Sequence, residues 1–427
     1  MNSAVRKGLA VIGVAVLLLF PLAWLHSLVS ERTALREQAV AAVARGWGGE
    51  QLLSGPILAI PVTTTGDDGR SHTRDWYVLP ESLDLDAEVT VQAERRKLGV
   101  YEVPTYVATI HITGQFDLPH EIAKLTSGDE SIRVHADSGR LLLPLSDPRG
   151  VREIKPVETE LTSTALEPWR GFPIAALAAP LRPDLSGGKH TFDLTLQIAG
   201  TQSLRFLPLA HASRVKLRGN WPTPGFASGF LPIDRHMHDG RFDAAWQVLD
   251  LNRSYGARWM EADIPENVLE DSAFGVDLVQ PVDLYQRAER AVKYAGVFIG
   301  LTFLTLFIWE HLVRRPLHPI QYALMGLALG VFFLLLLALA EHIGFALAYV
   351  LAAVALCLLL SLYLAGVMGS GGSGVASGGV FALLYGLLYL LVTSDDYALL
   401  AGSLGLFTVL AVAMVLTRNV NWYQTGD

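Results

Sequence analysis

Apolar residues in this chain are gathered into long uninterrupted runs, and that distribution restricts the fold more than any other feature. The runs cover residues 8–29, 295–313, 320–340, 343–367, 375–392 and 397–416. A helix needs roughly 20 consecutive apolar residues to cross the hydrocarbon core of a bilayer. The spacing therefore predicts an α+β membrane protein with six transmembrane helices, namely one N-terminal anchor and a C-terminal five-helix bundle.

Composition agrees with a membrane protein and excludes one class of partner. Charged residues make up only 17% of the chain, whereas soluble domains carry about 25%. The net charge of −8 provides no basic surface for nucleic acid, so we expect the lipid bilayer as a partner and no nucleic acid. The single cysteine, Cys357, lies in an apolar run, so the polar middle region must fold without a disulfide.

The first run is too long for a cleaved signal sequence, whose apolar core spans about 7–15 residues, so we interpret it as an uncleaved anchor.

Orientation follows from the enrichment of Lys and Arg in cytoplasmic loops. Placing the N-terminus inside leaves these basic residues in the cytoplasm: Arg6, Lys7, Arg314, Arg315 and Arg418. It leaves the acidic residues Glu341, Asp395 and Asp396 outside. Both termini are thus expected in the cytoplasm and the large middle domain outside it.

The middle region alternates apolar and polar residues with a period of two, most strictly in residues 83–93 and 192–198. This pattern predicts antiparallel strands with one wet face, packed as a sandwich of two sheets. Residues 31–47 instead keep a helical period, and the Pro- and Ala-rich segment 161–183 suggests a break between two lobes. The glycine-rich run 369–379 predicts a flexible cytoplasmic turn.

These patterns divide the chain into six parts. They are a transmembrane anchor (1–30), a helical stalk (31–50), a large antiparallel β-rich, sandwich-like domain (51–282), a juxtamembrane helix (283–294), the five-helix bundle (295–417) and a cytoplasmic tail (418–427).

One polar cluster could bind a metal. His236 and His238 share a strand face if the segment 234–239 is extended, and Asp239 follows directly. A structural zinc site usually needs four ligands, and no second His/Cys pair stands out nearby. We therefore favour a polar loop between strands, with the metal site as the alternative. With no Gly-x-Ser-x-Gly elbow in the middle domain either, we predict no catalytic residues, no cofactor and no enzymatic activity.

Two Glu-His pairs, Glu310-His311 and Glu341-His342, lie at the ends of apolar runs. Charge buried in lipid is costly, so intramembrane carboxylates are functional candidates, but here we expect boundary positions where the side chains reach water. Gly326 and Gly330 suit helix packing. One further set of aromatic residues could line a groove, although core packing is the favoured interpretation: Trp221, Phe226, Phe230, Trp246, Tyr255 and Trp259.

Several longer motifs carry a resemblance to a known family. They are SGPILAIPV (54–62), ERRKLGVYEV (94–103), GNWPTPGFASGFLP (219–232), RFDAAW (241–246), VDLYQRAERAVKYA (282–295), LHPIQYALMGLAL (317–329), LLLALAEHIGF (335–345) and LTRNVNWY (416–423). In this order they resemble the CreD family of inner-membrane proteins, which is associated with cell-envelope integrity in Gram-negative bacteria. The family often has His where Thr223 stands here.

The resemblance implies a bacterial inner-membrane protein of a two-component envelope-stress regulon, without catalytic residues. Its middle domain is then periplasmic, and we expect it to bind an envelope protein or lipid. The alternative is a transporter or lipid-handling protein whose periplasmic domain receives the substrate.

Overall fold

The protein is described here by a computed structural model. It describes residues 13–14, 16–65, 70–92, 96–99, 101–118, 132–155, 166–180, 189–226, 229–256, 258–261, 263, 265–278, 284–313, 315–394 and 398–418. The chain forms two compact units. The helix unit comprises Met1–Arg36 and Val282–Asp427, and the β unit comprises Glu37–Pro281.

Helices account for the described part of the helix unit. They are α1 (Leu19–Trp47, whose last turns belong to the β unit), α3 (Leu284–Val313), α4 (Pro319–Ile343), α5 (Phe345–Met368), α6 (Gly371–Thr393) and α7 (Ala398–Thr417). Among the described residues, four helices are long and apolar enough to cross a membrane: Leu284–Glu310, Pro319–Ile343, Phe345–Met368 and Gly371–Thr393. A shorter apolar helix covers Gly402–Val415.

The predicted first span lies partly outside the described residues, which include only positions 13, 14 and 16 onward of that segment. Six spans therefore remain a prediction. The predicted helix over residues 31–47 is confirmed, because α1 runs to Trp47. Arg6, Lys7, Arg314, Asp395 and Asp396, on which the orientation depends, lie outside the described part of the chain.

The helix predicted over residues 283–294 is present from Leu284 onward, and it continues without a break into the next predicted span, because α3 runs from Leu284 to Val313. No proline or glycine interrupts its first turns. Tyr285, Ala288, Ala291 and Ala295 are all buried, and their spacing of three or four residues keeps one apolar face of the helix against its neighbours.

The flexible turn predicted over residues 369–379 is also wrong, because α6 begins at Gly371. Between α5 and α6 the chain turns at Gly369, whose φ of +61° caps α5. The small residues serve close packing instead. A Cβ on Gly374 would lie 2.6 Å from Ala365 Cβ and 2.9 Å from the Ser361 carbonyl oxygen. This contact between helices offsets the helix-weakening tendency of glycine, which is about 1 kcal/mol per residue.

Besides the last turns of α1, the described part of the β unit contains strands, three short 3-10 helices and one short α-helix, α2 (Glu266–Asp271). The strands are β1 (Gln51–Leu53), β2 (Ile57–Thr65), β3 (Ser71–Val78), β4 (Ser82–Val91), β5 (Arg96–Leu98), β6 (Tyr101–Val103), β7 (Thr105–Phe116), β8 (Ile132–Val134), β9 (Arg140–Pro144), β10 (Val151–Lys155), β11 (Glu167–Trp169), β12 (Ala176–Pro180), β13 (His190–Thr201), β14 (Ser203–Phe206), β15 (Ala212–Gly219), β16 (Asp234–His238), β17 (Arg241–Leu249), β18 (Arg258–Met260) and β19 (Phe274–Asp277).

Two seven-stranded sheets dominate the described part of the β unit. Sheet I has the order β10-β13-β7-β4-β15-β17-β16; sheet II has the order β11-β12-β9-β2-β3-β18, with β8 also paired to β2. Their inner faces share one core, which contains Leu58 and Trp76 from sheet II and Leu85 and Ile110 from sheet I. The predicted packing of two sheets is therefore confirmed. Along β4, buried side chains alternate with more exposed ones, as the period of two predicted.

Two pairings depart from the antiparallel prediction. The strand β15 runs parallel to β4 in the middle of sheet I, and β1 runs parallel to β14. Both pairs join strands far apart in sequence, so a long crossover can return the chain in the same direction.

The lobe boundary suggested for residues 161–183 is contradicted over its described part, because β12 pairs with β9 along its whole length. Residues 161–165 and 181–183 lie outside the described residues.

The aromatic set is confirmed as core packing, but it divides between two cores. Trp221 and Trp246 are buried in the shared core of the sheets, and Phe226 and Phe230 pack against it. Tyr255 and Trp259 belong instead to a second cluster with Tyr77 and Phe172. Residues that are close in sequence thus stabilise different faces of sheet II.

Candidate interaction surface

The segment interpreted as a polar loop is an edge strand. Residues 234–238 form β16, and a two-residue turn at Asp239 and Gly240 joins it to β17. Both turn residues have positive φ, +48° and +75°, as a type I′ hairpin requires. The Asp-Gly pair between alternating residues was the signal that could have predicted this hairpin.

The structure does not assemble the predicted metal ligands into a site. The imidazoles of His236 and His238 lie on one face with ring centroids 6.4 Å apart, as the spacing predicted, and His236 Nε2 lies 3.2 Å from Asp234 Oδ1. Asp239, however, occupies the turn rather than the strand face. Among the described residues, no group of three or more His, Cys, Asp or Glu side chains could hold a metal ion.

Opposite charges pair along the outer face of sheet I. Asp84 accepts hydrogen bonds from Arg214 Nε at 2.6 Å and Nη2 at 2.9 Å. Asp86 accepts one from Arg218 Nη2 at 2.8 Å. The Asp84 carboxylate raises the pKa of Arg214 through their hydrogen bonds and opposite charges. Exposed pairs stabilise a fold by only about 0–1 kcal/mol each, so their main effect is to order the surface charges.

A shallow depression of about 290 Å³ crosses this face. Side chains of both charges line it, among them Asp86, Lys216, Arg218, His236 and Asp243, and the short side chain of Ala245 leaves room between the strands. Sites for small molecules are usually enclosed and mostly apolar. An open, polar depression with mixed charges is better suited to contact with another macromolecule.

The outer edge of β16 is unpaired within the described residues, since β16 is the last strand of sheet I. All five of its residues are exposed. The residues that flank a two-residue hairpin form a hydrogen-bonded pair, and such pairs alternate along the strands. The register of β16 with β17 therefore directs the N–H and C=O groups of Arg235 and Met237 away from β17. Leu231 and Ile233, just before the strand, are 76% and 68% exposed.

A second polar site in the β unit has a structural role. The Asp147 carboxylate accepts hydrogen bonds from Gly49 N at 2.8 Å and from Arg149 Nε at 2.7 Å. Burial alone would raise the pKa of Asp147, but these hydrogen bonds and the Arg149 charge outweigh burial and lower it. Gln51, which is also buried, donates to the carbonyl oxygens of Asp147 and Ala199. These bonds hold the chain after α1 against sheet I.

The side chains of Glu310 and Glu341, predicted to reach water at span ends, are both largely shielded by neighbouring helices. Glu310 is buried, and its Oε2 accepts a 2.9 Å hydrogen bond from the Tyr322 hydroxyl. The Glu341 side chain is 11% exposed, lies 3.7 Å from Arg32 Nε, and accepts a 3.2 Å hydrogen bond from the Tyr285 hydroxyl. The expected contact with water is therefore wrong for Glu310, because a neighbouring helix supplies its polar partner. His342 is exposed, and the side chain of His311 lies outside the described part of the chain.

Helix packing is confirmed for one of the two glycines. A Cβ on Gly326 would lie 2.1 Å from Leu18 Cδ1 and 3.0 Å from Phe303 Cζ, so these two side chains pack directly against the glycine and would have to shift for a larger residue. Gly330 is different, because no described atom lies within 4 Å of its Cβ position.

These features define a class: a multi-pass membrane protein with an apolar helix unit and a two-sheet β unit that exposes a charged face and an open strand edge. The chain matches the family model described as "Inner membrane protein CreD" over residues 3–423. It is 32% identical to the inner membrane protein CreD of Escherichia coli (strain K12), in an alignment of 432 residues that covers 98% of this chain and 93% of that protein. The chain belongs to the CreD family of inner membrane proteins.

Proposed function

We propose that this protein maintains cell-envelope integrity without catalysis, as a membrane-anchored binding module. In this proposal the chain crosses the inner membrane six times, both termini are cytoplasmic, and the β unit lies in the periplasm, where it binds another envelope component. The observation that carries the proposal is the exposed edge of β16 beside the charged face of sheet I.

The edge favours a protein as the bound component. An extended segment can add to an open sheet edge through main-chain hydrogen bonds, and side-chain contacts then supply specificity. Arg235 and Met237 present the necessary backbone groups, and the alternating charges of Asp86, Lys216 and Arg218 lie on the adjoining strands. A lipid headgroup would use the charges but not the backbone groups.

Complementation of a deletion strain tests this role. The deletion should alter cell shape, detergent sensitivity or β-lactam survival, and the wild-type chain should restore them. Met237→Pro removes the outward N–H and should fail to restore these phenotypes. The variant should still fold, because proline is tolerated on the edge strands of sheets. Met237→Ala keeps that N–H and should restore the altered phenotypes at equal protein level. Equal complementation by both variants would exclude the strand edge as the binding site.

In-cell crosslinking tests the site directly. A photoreactive amino acid at Met237 should form one discrete adduct under envelope stress. The same amino acid at Glu153 should form none, because Glu153 is exposed on β10, the opposite edge strand of the same sheet. Equal adducts at both positions would show nonspecific capture and contradict the proposal.

A second candidate function, lipid handling, is favoured by an apolar groove of about 540 Å³ in the helix unit, lined by residues of α3, α6 and α7. We would expect vesicles containing the purified protein to exchange labelled phospholipid between leaflets faster than protein-free vesicles. Equal rates would exclude this candidate.

A further inference from the structure

The open edge of sheet I is short, because a β-bulge closes one end of it. The main-chain N–H of Ile233 donates to the Ala245 carbonyl oxygen at 2.8 Å, although the residue paired with Ala245 is Asp234. Two consecutive residues therefore face one, which defines a bulge. Between this bulge and the hairpin turn, the main-chain groups that point away from β17 are those of Arg235 and Met237.

These two positions restrict how a second β16 strand could pair with the first. In an antiparallel pair centred on His236, Arg235 of each copy lies opposite Met237 of the other. Outward groups then face outward groups, and each pair of residues exchanges both N–H···O bonds. A pair centred on Arg235 or on Met237 would set that residue against itself, and the other outward position would face the bulge or the turn. The register centred on His236 therefore satisfies every outward group.

The same register matches the side chains on the outer face of sheet I. Asp234 of each copy lies opposite His238 of the other, and an imidazole N–H can donate to a carboxylate. Asp234 Oδ1 already lies 3.2 Å from His236 Nε2 of its own strand, but a carboxylate has about four lone-pair sites. A pair centred on Arg235 would instead oppose two guanidinium groups, and like charges directly opposite destabilise a strand pair.

Apolar surface at the edge is also covered in this register. Met237 is 46% exposed and would lie against the aliphatic stem of Arg235 from the second copy, a stem that commonly packs on apolar groups. Ile233, which is 68% exposed, would lie beside the hairpin turn of the second copy. Because each copy uses all its outward groups, the pairing closes at two copies and leaves no edge for a third.

We propose that β16 pairs antiparallel with β16 of a second copy of this chain, about a two-fold axis at His236, and joins two copies of sheet I into one continuous sheet. This inference rests on the proposed function, because it names the component that the strand edge binds. A strand of five residues provides a small interface, so the dimer is reversible. Anchoring of both copies in one membrane favours it, because tethering raises the effective concentration of the two strands.

Disulfide crosslinking of the full chain in isolated membranes tests the register. In a Cys357→Ala background, His236→Cys places two thiols on the axis. The Cα atoms of such a pair lie about 4.5 Å apart, within the range for a disulfide. Mild oxidation should therefore convert His236→Cys to a covalent dimer.

Arg235→Cys is the matched control, because position 235 is equally exposed but is offset by two residues from its own copy. The two Cα atoms would then lie roughly 8–9 Å apart, too far for a disulfide. Equal crosslinking of the two variants would show random collision and overturn the proposal, as would the absence of a dimer in His236→Cys.

A charge exchange on the axis provides a second test. His236→Asp alone, or His236→Lys alone, sets like charges against each other and should reduce co-purification of two differently tagged copies about fivefold, the upper range for one cross-strand pair. Expressing one tagged copy of each variant should restore co-purification to the wild-type level. This mixed pair also controls for folding, because a misfolded variant would not be rescued by its oppositely charged counterpart. Failure of the mixed pair to recover would overturn the two-fold axis.

The identity of the adduct at Met237 separates this proposal from the proposed function. An adduct of twice the mass of the chain, made of two copies of it, supports the dimer. An adduct with a different envelope protein would overturn the dimer and leave the strand edge as a binding site. No adduct with any protein would overturn both.

Discussion

The Tyr322 hydroxyl donates to the Glu310 carboxylate at 2.9 Å, and both side chains are buried between α3 and α4. The same two helices form the reverse pair at their other ends, where Tyr285 of α3 donates to Glu341 of α4 at 3.2 Å. Each helix thus provides one tyrosine and one glutamate. This arrangement fixes the relative position of the helices along their axes.

We predict that Tyr322→Phe destabilises the full chain by about 1–3 kcal/mol, the cost of removing one partner from a buried hydrogen-bond acceptor. Tyr285→Phe should have a smaller effect, because Glu341 keeps Arg32 nearby and is partly exposed. Thermal unfolding in detergent measures both. Tyr363→Phe is the control on a partly buried tyrosine of α5, and an equal loss in Tyr363→Phe and Tyr322→Phe would contradict the role of the hydroxyl.

The contact between α5 and α6 predicts opposite effects for two glycines of α6. Gly374→Ala should destabilise the chain by about 1–3 kcal/mol, as overpacking does, because the new Cβ would meet Ala365 and the Ser361 backbone. Gly386→Ala meets no described atom and should be neutral or stabilising by up to about 1 kcal/mol. Unfolding temperatures of the two variants check the signs, and stabilisation by Gly374→Ala would refute the close packing.

Acid should weaken the β unit through Asp147. Its pKa in the folded protein is lowered from 3.8, so its stabilising effect is present above pH 3.8 and is lost as the pH falls towards the folded value. Asp147→Asn should therefore be less stable than the wild type at pH 7, and the difference should shrink below about pH 4. Unfolding followed by tryptophan fluorescence from pH 3 to 7 measures this.

Asp271→Asn is the control for this pH series, because Asp271 is exposed at the end of α2. Its stability should follow that of the wild type at every pH. A constant difference between wild type and Asp147→Asn across the whole range would show that the carboxylate charge is not responsible.

The hairpin turn gives a further prediction. Gly240 has a φ of +75°, and the left-handed region disfavours residues with a Cβ by roughly 1–2 kcal/mol. Gly240→Ala should therefore speed hydrogen exchange in β16 and β17 while leaving exchange in β7 and β13 unchanged. Asp239→Gly, at φ +48°, should not speed it. Unchanged exchange in Gly240→Ala would contradict the assigned turn.

Local patterns predicted the strands well, because a sheet with one wet face imposes a period of two on residues such as Leu83 and Leu85. The partners were harder to predict. Tyr322 meets Glu310 across two helices, a relation that no local period encodes. The glycine run was misread for the same reason, since its helix depends on Ser361 and Ala365 of another helix. The hairpin at Asp239 and Gly240 was a local signal that was missed.

The central claim, that the β unit lies in the periplasm, has a direct test by cysteine labelling. Cys357 is the only thiol in the chain; after Cys357→Ala, single cysteines can be placed by Asp193→Cys on exposed β13 and by Ser370→Cys between α5 and α6. A membrane-impermeant maleimide added to intact cells should label Asp193→Cys, and should label Ser370→Cys only after lysis. Labelling of Ser370→Cys in intact cells while Asp193→Cys stays protected until lysis would contradict the proposed orientation.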